Sequence, residues 1–290
     1  MIPDSQTNYL YLADSLPKKY PDFYKRFKNL LSDCKIDFSL LPGTNDIWAV
    51  DYMPIQIAEN NFTQFVYNPS YLETPEEIES ISDAESICKF INLNIKKSNI
   101  LLDGGNVIKT TNKVIMTTRV FEENPDIPKK QLIKQLQDTL EVDNLIFIPA
   151  DPDDFTGHAD GMVRFLDDNT VLINNYTREK SAFQRNFRIA LDNAGLKCIE
   201  IPYSPYSNKN NDQARGIYIN YLQMESIITI PVFNIKEDEA AVRVFEDNFS
   251  NLAIKTIECN QIADQGGTLN CISWNIKSDK NSPFRGPGGL

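Results

Sequence analysis

EKSAFQRNFRIALDNAGLKCIEI, residues 179–201, contains the unit from which the fold can be read. From Glu179 to Ala194 apolar and polar residues alternate at helical spacing, and Gly195 stands where a C′ glycine ends a helix. Lys197–Ile201 then reads as a short strand. The same order recurs outward along the chain. Pro21 to Cys34 is amphipathic, with Phe23, Phe27, Leu30 and Leu31 on one face. A second helix starts with Thr74 as N-cap, Pro75 at its first position and Glu77 completing a capping box. Ile78, Ile81, Ile87 and Ile91 give it an apolar stripe. A third covers Ile127 to Leu140, and the last covers Glu237 to Phe249.

These starts, near 21, 75, 127, 179 and 237, repeat every 50 to 60 residues. A β-rich run follows each helix: Ile36–Leu41, Ile100–Leu102, Leu145–Ile148, Lys197–Ile201 and Ala253–Ile257. Further strands are read at Met162–Leu166, Thr170–Ile173, Ile217–Leu222 and Ile227–Val232. The last unit has only Leu269–Ile276 to follow its first strand, and Tyr9–Ala13 can complete it from the other end of the chain. A long period with helix and strands in every unit predicts an α/β fold built as five blades around an axis. The alternative is an ordinary α/β or α+β domain with accidental spacing.

Composition sets the bounds. The 290 residues are 41% hydrophobic, with no Ser/Gly-rich linker, so one domain is expected over 1–290, with 281–290 a flexible tail. The net charge of -11 and a pI near 4.7 disfavour nucleic acid and suit a cationic small molecule. Met1 to Leu12 lacks the pattern of a targeting segment, and no apolar run reaches the ~20 residues of a membrane span. Five cysteines, an odd number without CxxC spacing, fit a reducing, cytoplasmic setting. Cys34, Cys88, Cys198 and Cys259 read as small core residues. With His158 the single histidine, a zinc site is not expected. The Asp151–Asp154 run lacks EF-hand spacing and reads as a loop or lid leading to His158.

The unusual polar residues fall at one phase of the repeat. Asp51, Asp103, the pair His158 and Asp160, Asn220 and Cys271 each follow a different helix at a similar distance. In a closed ring they converge on the axis, with Trp48 as a wall. A thiol needs a neighbouring base or cation to become a nucleophile. His158 and Asp160, two apart, share a face if they lie on a strand. Several carboxylates beside a thiol and an imidazole suit a guanidinium, whose planar donors match carboxylates. Cys271 would attack its central carbon, and His158 would move protons to ammonia and from water.

At these residues the chain resembles the agmatine deiminase and bacterial peptidylarginine deiminase family, guanidino-modifying enzymes of the pentein fold. Trp48-Ala-Val-Asp51-Tyr-Met-Pro54 is similar to its W-x-R-D-x-G-P segment, and Leu102-Asp103-Gly-Gly-Asn106 to its E-G-G motif. Gly157-His158-Ala-Asp160 with Arg164-Phe165 resembles G-H-x-D-x-x-x-R-F. Tyr218-Ile-Asn220-Tyr221 resembles Y-x-N-F, and Gly266-Gly-Thr-Leu-Asn-Cys271-Ile-Ser273 the G-G-x-I-H-C-x-T nucleophile segment. The likeness runs from Trp48 to Trp274. It implies a five-bladed α/β propeller without cofactor or metal. It also implies Cys271 as nucleophile, His158 as general acid and base, and Asp51, Asp103 and Asp160 as guanidinium ligands. Agmatine would become N-carbamoylputrescine, a step in putrescine biosynthesis. Val50, Met53, Asp103, Gly161 and Asn270 depart from the pattern. Peptidylarginine or free arginine as substrate, amidino transfer, a non-catalytic binding role and a homo-oligomeric state stay open. A cysteine protease leaves the aspartates unexplained.

Overall fold

The computed structural model describes residues 1–210 and 212–279, so the tail expected at 281–290 lies outside the described residues. Strand β1 (Tyr9–Ala13) leads through helix α1 (Pro21–Asp33) to β2 (Phe38–Leu41), which lies parallel to β1. The next sheet is β3 (Ile55–Ala58), β4 (Asn61–Val66) and β5 (Ile95–Leu101), with α2 (Pro75–Glu79) and α3 (Ala84–Phe90) in the crossover. Then come β6 (Ile108–Lys109), β7 (Lys113–Thr117), α4 (Lys129–Leu140) and β8 (Asn144–Ile148). They are followed by β9 (Val163–Phe165), β10 (Thr170–Asn174), α5 (Ser181–Asn193) and β11 (Lys197–Ile201). Last are β12 (Leu222–Met224), β13 (Ile227–Val232), α6 (Asp238–Asn248), β14 (Ala253–Glu258) and β15 (Ser273–Ile276).

Among the described residues these strands make five sheets of three. In each, the middle strand has an antiparallel partner on one side and a parallel partner on the other. The fifth sheet joins the chain ends, as expected: β15 pairs antiparallel with β1, with Tyr9 opposite Ile276 and Leu12 opposite Ser273. Each blade therefore holds the two strands before a helix and the one after it.

The helices explain why the period was visible. Phe23, Phe27 and Leu31 of α1, Leu132, Leu136 and Leu140 of α4, and Phe183, Phe187 and Leu191 of α5 are buried at i, i+4 and i+8. Such a stripe cannot be satisfied in water and packs onto the sheet its own crossover spans. Middle strands β1 and β13 are covered on both faces and are almost wholly buried, with every residue of β1 buried, whereas middle strand β4 mixes Asn61, Thr63 and Gln64 with buried phenylalanines. Gly195, with φ of 70°, follows α5 as the sequence predicts. Cys88 and Cys259 are buried, and Cys34 and Cys198 are half-buried.

Four local expectations are corrected. The second helix is two, because Asp83 starts a new one: its carboxylate accepts from Ser86 N at 3.1 Å, and Ile78 is left 51% exposed. His158 precedes a single helical turn, Ala159–Gly161, and Asp160 lies within it, so neither is on a strand. The strand expected at Ile217–Leu222 begins only at Leu222, and that expected at Leu269–Ile276 only at Ser273. In both cases the earlier residues form turns that carry Asn220 and Cys271.

Leu12→Ala opens a cavity in the closing strand, where Leu12 is fully buried. It should cost about 2–5 kcal/mol in urea denaturation, whereas Ile189→Ala, at a 48% exposed position, should stay within about 0.5 kcal/mol of wild type.

Candidate active site

Each connection between neighbouring blades carries one of the expected groups. Trp48 and Asp51 lie between β2 and β3, Asp103 between β5 and β6, and His158 and Asp160 between β8 and β9. Asn220 lies between β11 and β12, and Cys271 between β14 and β15. All except Asp103 line one cavity of about 510 Å³.

Asp103 stands behind the imidazole instead. Its Oδ2 lies 2.8 Å from His158 Nε2 and also accepts from Tyr71 OH at 3.0 Å. The other ring nitrogen, Nδ1, is 3.5 Å from Asp51 Oδ1. That oxygen accepts from Gly105 N at 2.9 Å. The glycine pair allows this approach. A Cβ on Gly104 would sit 1.9 Å from Val50 O, and one on Gly105 within 2.7 Å of Asp51 Oδ1 and His158 Nδ1. Burial by itself would lower the His158 pKa. Asp51, Asp103 and Asp160 outweigh it and raise the value to about 10, so the ring is an imidazolium at neutral pH.

The thiol is held from the opposite side. Asn220 Oδ1 accepts from Thr268 Oγ1 (2.9 Å), Asn270 N (3.1 Å) and Cys271 N (3.3 Å), and Asn220 Nδ2 donates to Cys271 Sγ at 3.1 Å. This clamp fixes the turn that presents the sulfur. Asp160 Oδ2 lies 3.5 Å from Sγ and accepts from Asn270 Nδ2 at 2.7 Å. Arg164 Nη1 donates to Asn270 Oδ1 at 2.8 Å and to Tyr221 O at 3.0 Å, and Nη2 donates to Asp4 Oδ2 at 2.7 Å. Burial, then Asp160 and Asp51, push the Cys271 thiol well up. Burial also raises the Asp51 and Asp160 carboxyls, against the opposing charge of His158. The result is a concentration of negative charge around one imidazolium and one neutral thiol. It is arranged to receive a cation and then to release the thiol proton.

The sequence grouped Asp51, His158, Asp160, Asn220 and Cys271 as the structure does, and Trp48 is a half-buried wall of the cavity. It missed Tyr71, which lies in a stretch without periodicity, and the bridging work of Asn270, visible only as a departure from a pattern. Arg164, part of the Gly157–Phe165 likeness, is committed to internal partners. Among the described residues no three His, Cys, Asp or Glu side chains are placed to hold a metal ion.

A family model described as Porphyromonas-type peptidyl-arginine deiminase matches residues 17–276. A Mycoplasma mycoides relative named "Putative agmatine deiminase" is 24% identical over 225 residues. That match covers 66% of this chain and 61% of the relative, so the chain spans less than two thirds of the relative's length. Among solved structures, agmatine deiminase of C. jejuni has a TM-score of 0.78 at 19% identity, covering 96% of both chains. DDAH of Pseudomonas aeruginosa has a TM-score of 0.57 at 12% identity, covering 93% of this chain and 99% of that one. These likenesses establish the pentein-type five-bladed fold.

Two measurements check the geometry. NMR of the single imidazole should show His158 titrating near 10, and Asp103→Asn should move that titration down. The folded value lies above the reference of 6.5, so this contribution to stability is full below pH 6.5 and is lost as pH rises through about 10. Gly105→Ala should displace Asp51 and His158 and slow alkylation-sensitive chemistry at Cys271, whereas Gly161→Ala meets nothing within 4 Å and should not.

Proposed function

Since the chain belongs to the Porphyromonas-type peptidyl-arginine deiminase family, we propose that it hydrolyses a guanidinium to a ureido group and ammonia, with agmatine as substrate and N-carbamoylputrescine as product. The observation that carries this reading is the meeting of Cys271 Sγ, the His158 imidazolium and the paired carboxylates Asp51 and Asp160 in one cavity. The five blades act as one catalytic domain, because four of the inter-blade connections supply groups to the cavity and the fifth supplies Asp103, which holds the imidazole from behind.

The guanidinium lies between Asp51 and Asp160, donating to both. Its charge offsets the two carboxylates that hold the thiol proton on, so binding itself favours the thiolate, and the proton leaves by way of Asp160 Oδ2, 3.5 Å from Sγ, to water. Sγ attacks the guanidinium carbon. Asp103 occupies Nε2 of His158, so Nδ1 faces the substrate and gives its proton to the departing nitrogen, which leaves as ammonia. The neutral ring then takes a proton from water at the same nitrogen. The hydroxide adds to the covalent adduct, and collapse expels the sulfur, which takes up the hydroxyl proton to restore the thiol, and leaves the ureido oxygen. Asp103 and Tyr71 hold the ring for both steps.

The cavity wall supports agmatine over arginine. Nine carboxylate residues line it and, among the described residues, no lysine or arginine does. Arg164 is committed to Asp4, Asn270 and Tyr221 O, and Arg215 to Asp264 at 2.6 Å, so neither offers a site for an α-carboxylate. Five unpaired cysteines fit work in the reducing cytoplasm. No helix among the described residues is long and apolar enough to cross a membrane.

Release of ammonia and ureido product is measured with agmatine, arginine and a peptidyl arginine. Agmatine should lead, and Cys271→Ala should lower kcat more than about 10³-fold. Release that needs an added amine would instead identify an amidinotransferase. Tight binding without turnover would leave a binding protein.

A further inference from the structure

The cavity extends beyond what a guanidinium fills, and its far wall begins at the nucleophile. A Cβ on Gly267 would lie 2.7 Å from Trp48 Cζ3 and 3.0 Å from Cys271 Sγ. The indole edge and the sulfur therefore flank one glycine. The backbone of Trp48 in turn donates to Asp46 Oδ1 at 2.9 Å. Asp46 lines the same cavity, is only 7% exposed, and is pinned through its own backbone to Ser15 Oγ (2.6 Å) and Ser82 Oγ (3.4 Å). Its second oxygen, Oδ2, meets no donor among the described residues.

Of the other carboxylates of this wall outside the catalytic pair, Asp151 is buried but occupied on both oxygens, and Glu77 and Asp154 are more exposed. Asp151 takes Asp153 N on Oδ1 at 3.0 Å and Tyr203 OH on Oδ2 at 3.3 Å. Glu77 closes the capping box with Thr74, and Asp154 accepts from Thr156 N and Oγ1. Asp46 alone among these is both buried and open on one oxygen. Burial pushes its carboxyl up to about 6, against its bond from Trp48 N and the charge of Lys19. Lys19 Nζ donates to Asn45 O, so its ammonium is not hydrogen-bonded to this carboxylate. A buried carboxylate with a vacant acceptor is completed by an ammonium, which brings both a donor and the missing charge.

We propose that Asp46 is the specificity-determining residue of the cavity, binding the distal ammonium of an ω-guanidinoalkylamine while Trp48 covers its methylene arm. This rests on the deiminase reading. It selects substrates by the charge at the end opposite the reacting carbon: a primary ammonium is accepted, a neutral end is tolerated, and a carboxylate is repelled.

Asp46→Asn keeps an oxygen for Trp48 N and removes only the charge. In the full chain, kcat/KM is measured for agmatine, n-butylguanidine and 4-guanidinobutyrate, which share the reacting group and differ at the far end. The variant should lose roughly 10- to 100-fold on agmatine, mostly through KM, and no more than about threefold on n-butylguanidine. The penalty on 4-guanidinobutyrate should shrink. Asp151→Asn should leave the order of the three unchanged. Equal losses on all three, no loss on agmatine, or a selective loss in Asp151→Asn would overturn the assignment. Calorimetric binding of agmatine and n-butylguanidine to Cys271→Ala protein, with and without Asp46→Asn, reads the same contrast without chemistry. If wild type turns over nothing, the deiminase reading falls, while an Asp46-dependent preference for the dication in binding still decides for the subsite and its loss against it.

Discussion

The pairing of Ser273–Ile276 with Tyr9–Ala13 closes the ring and positions the thiol in the same event. Cys271 lies two residues before β15, and the carbonyl of Cys271 accepts from Val50 N at 3.3 Å across the axis. Were that strand unpaired, the turn holding Cys271 would have nothing to anchor its C-terminal side. Trp274, within the strand, adds a second fastening: its indole Nε1 donates to Pro54 O at 2.8 Å, and its ring packs beside Tyr11 and Phe62. The nucleophile thus depends on a contact between the two ends of the sequence.

A ring closed in this way can hold an arrangement that would be costly elsewhere. Asp51, Asp160 and His158 are almost wholly buried, with Asp103 against the imidazole. One imidazolium does not offset several carboxylates, and buried charge without a partner destabilises a fold. The compensation is local and directional. Gly105 N meets Asp51, Tyr71 OH meets Asp103, and Asn270 meets Asp160. What remains unbalanced is negative and faces the cavity. Burial is the largest cause of both the raised thiol and the raised carboxyls, the neighbouring carboxylates add to the thiol's shift, and in the proposed reaction the substrate cation offsets that added charge. On the proposed reading, binding and activation of the sulfur are coupled electrostatically.

The repeat was legible because four of the long helices bury one stripe each, and a 3.6-residue period survives any divergence that keeps that stripe apolar. The convergence of Asp51, His158, Asp160, Asn220 and Cys271 followed from their common phase. What could not be read depends on local competition. Ile78 and Ile81 continue an apolar pattern that Asp83 interrupts by capping a new helix, and a capping side chain is invisible to periodicity. The turn before Leu222 carries Tyr218, Ile219 and Tyr221, which are as buried as the residues of a strand and so read like one. Asp46 lay two residues from a recognised tryptophan, yet nothing in its neighbourhood separates a turn-capping aspartate from one with a free oxygen. Only the count of donors around it does.

The departures from the family pattern sort by position once the geometry is known. Val50 and Met53 face the opposite side of the ring from the cavity, against Gly104, Pro54 and Asn270, so their change does not alter the walls that meet substrate. Asp103 is one methylene shorter than glutamate and still reaches Nε2 at 2.8 Å, because the Gly104-Gly105 backbone lies directly against Val50 and Asp51. Asn270 is the substitution with chemical weight. A histidine at that place would bring a titratable group beside Asp160. The amide brings a neutral one, tied by its oxygen to Arg164 and by its nitrogen to Asp160. Asp160 is then positioned by a donor whose charge does not change with pH. The guanidinium of Arg164 acts on it only from a distance, so burial still holds its carboxyl above the usual range.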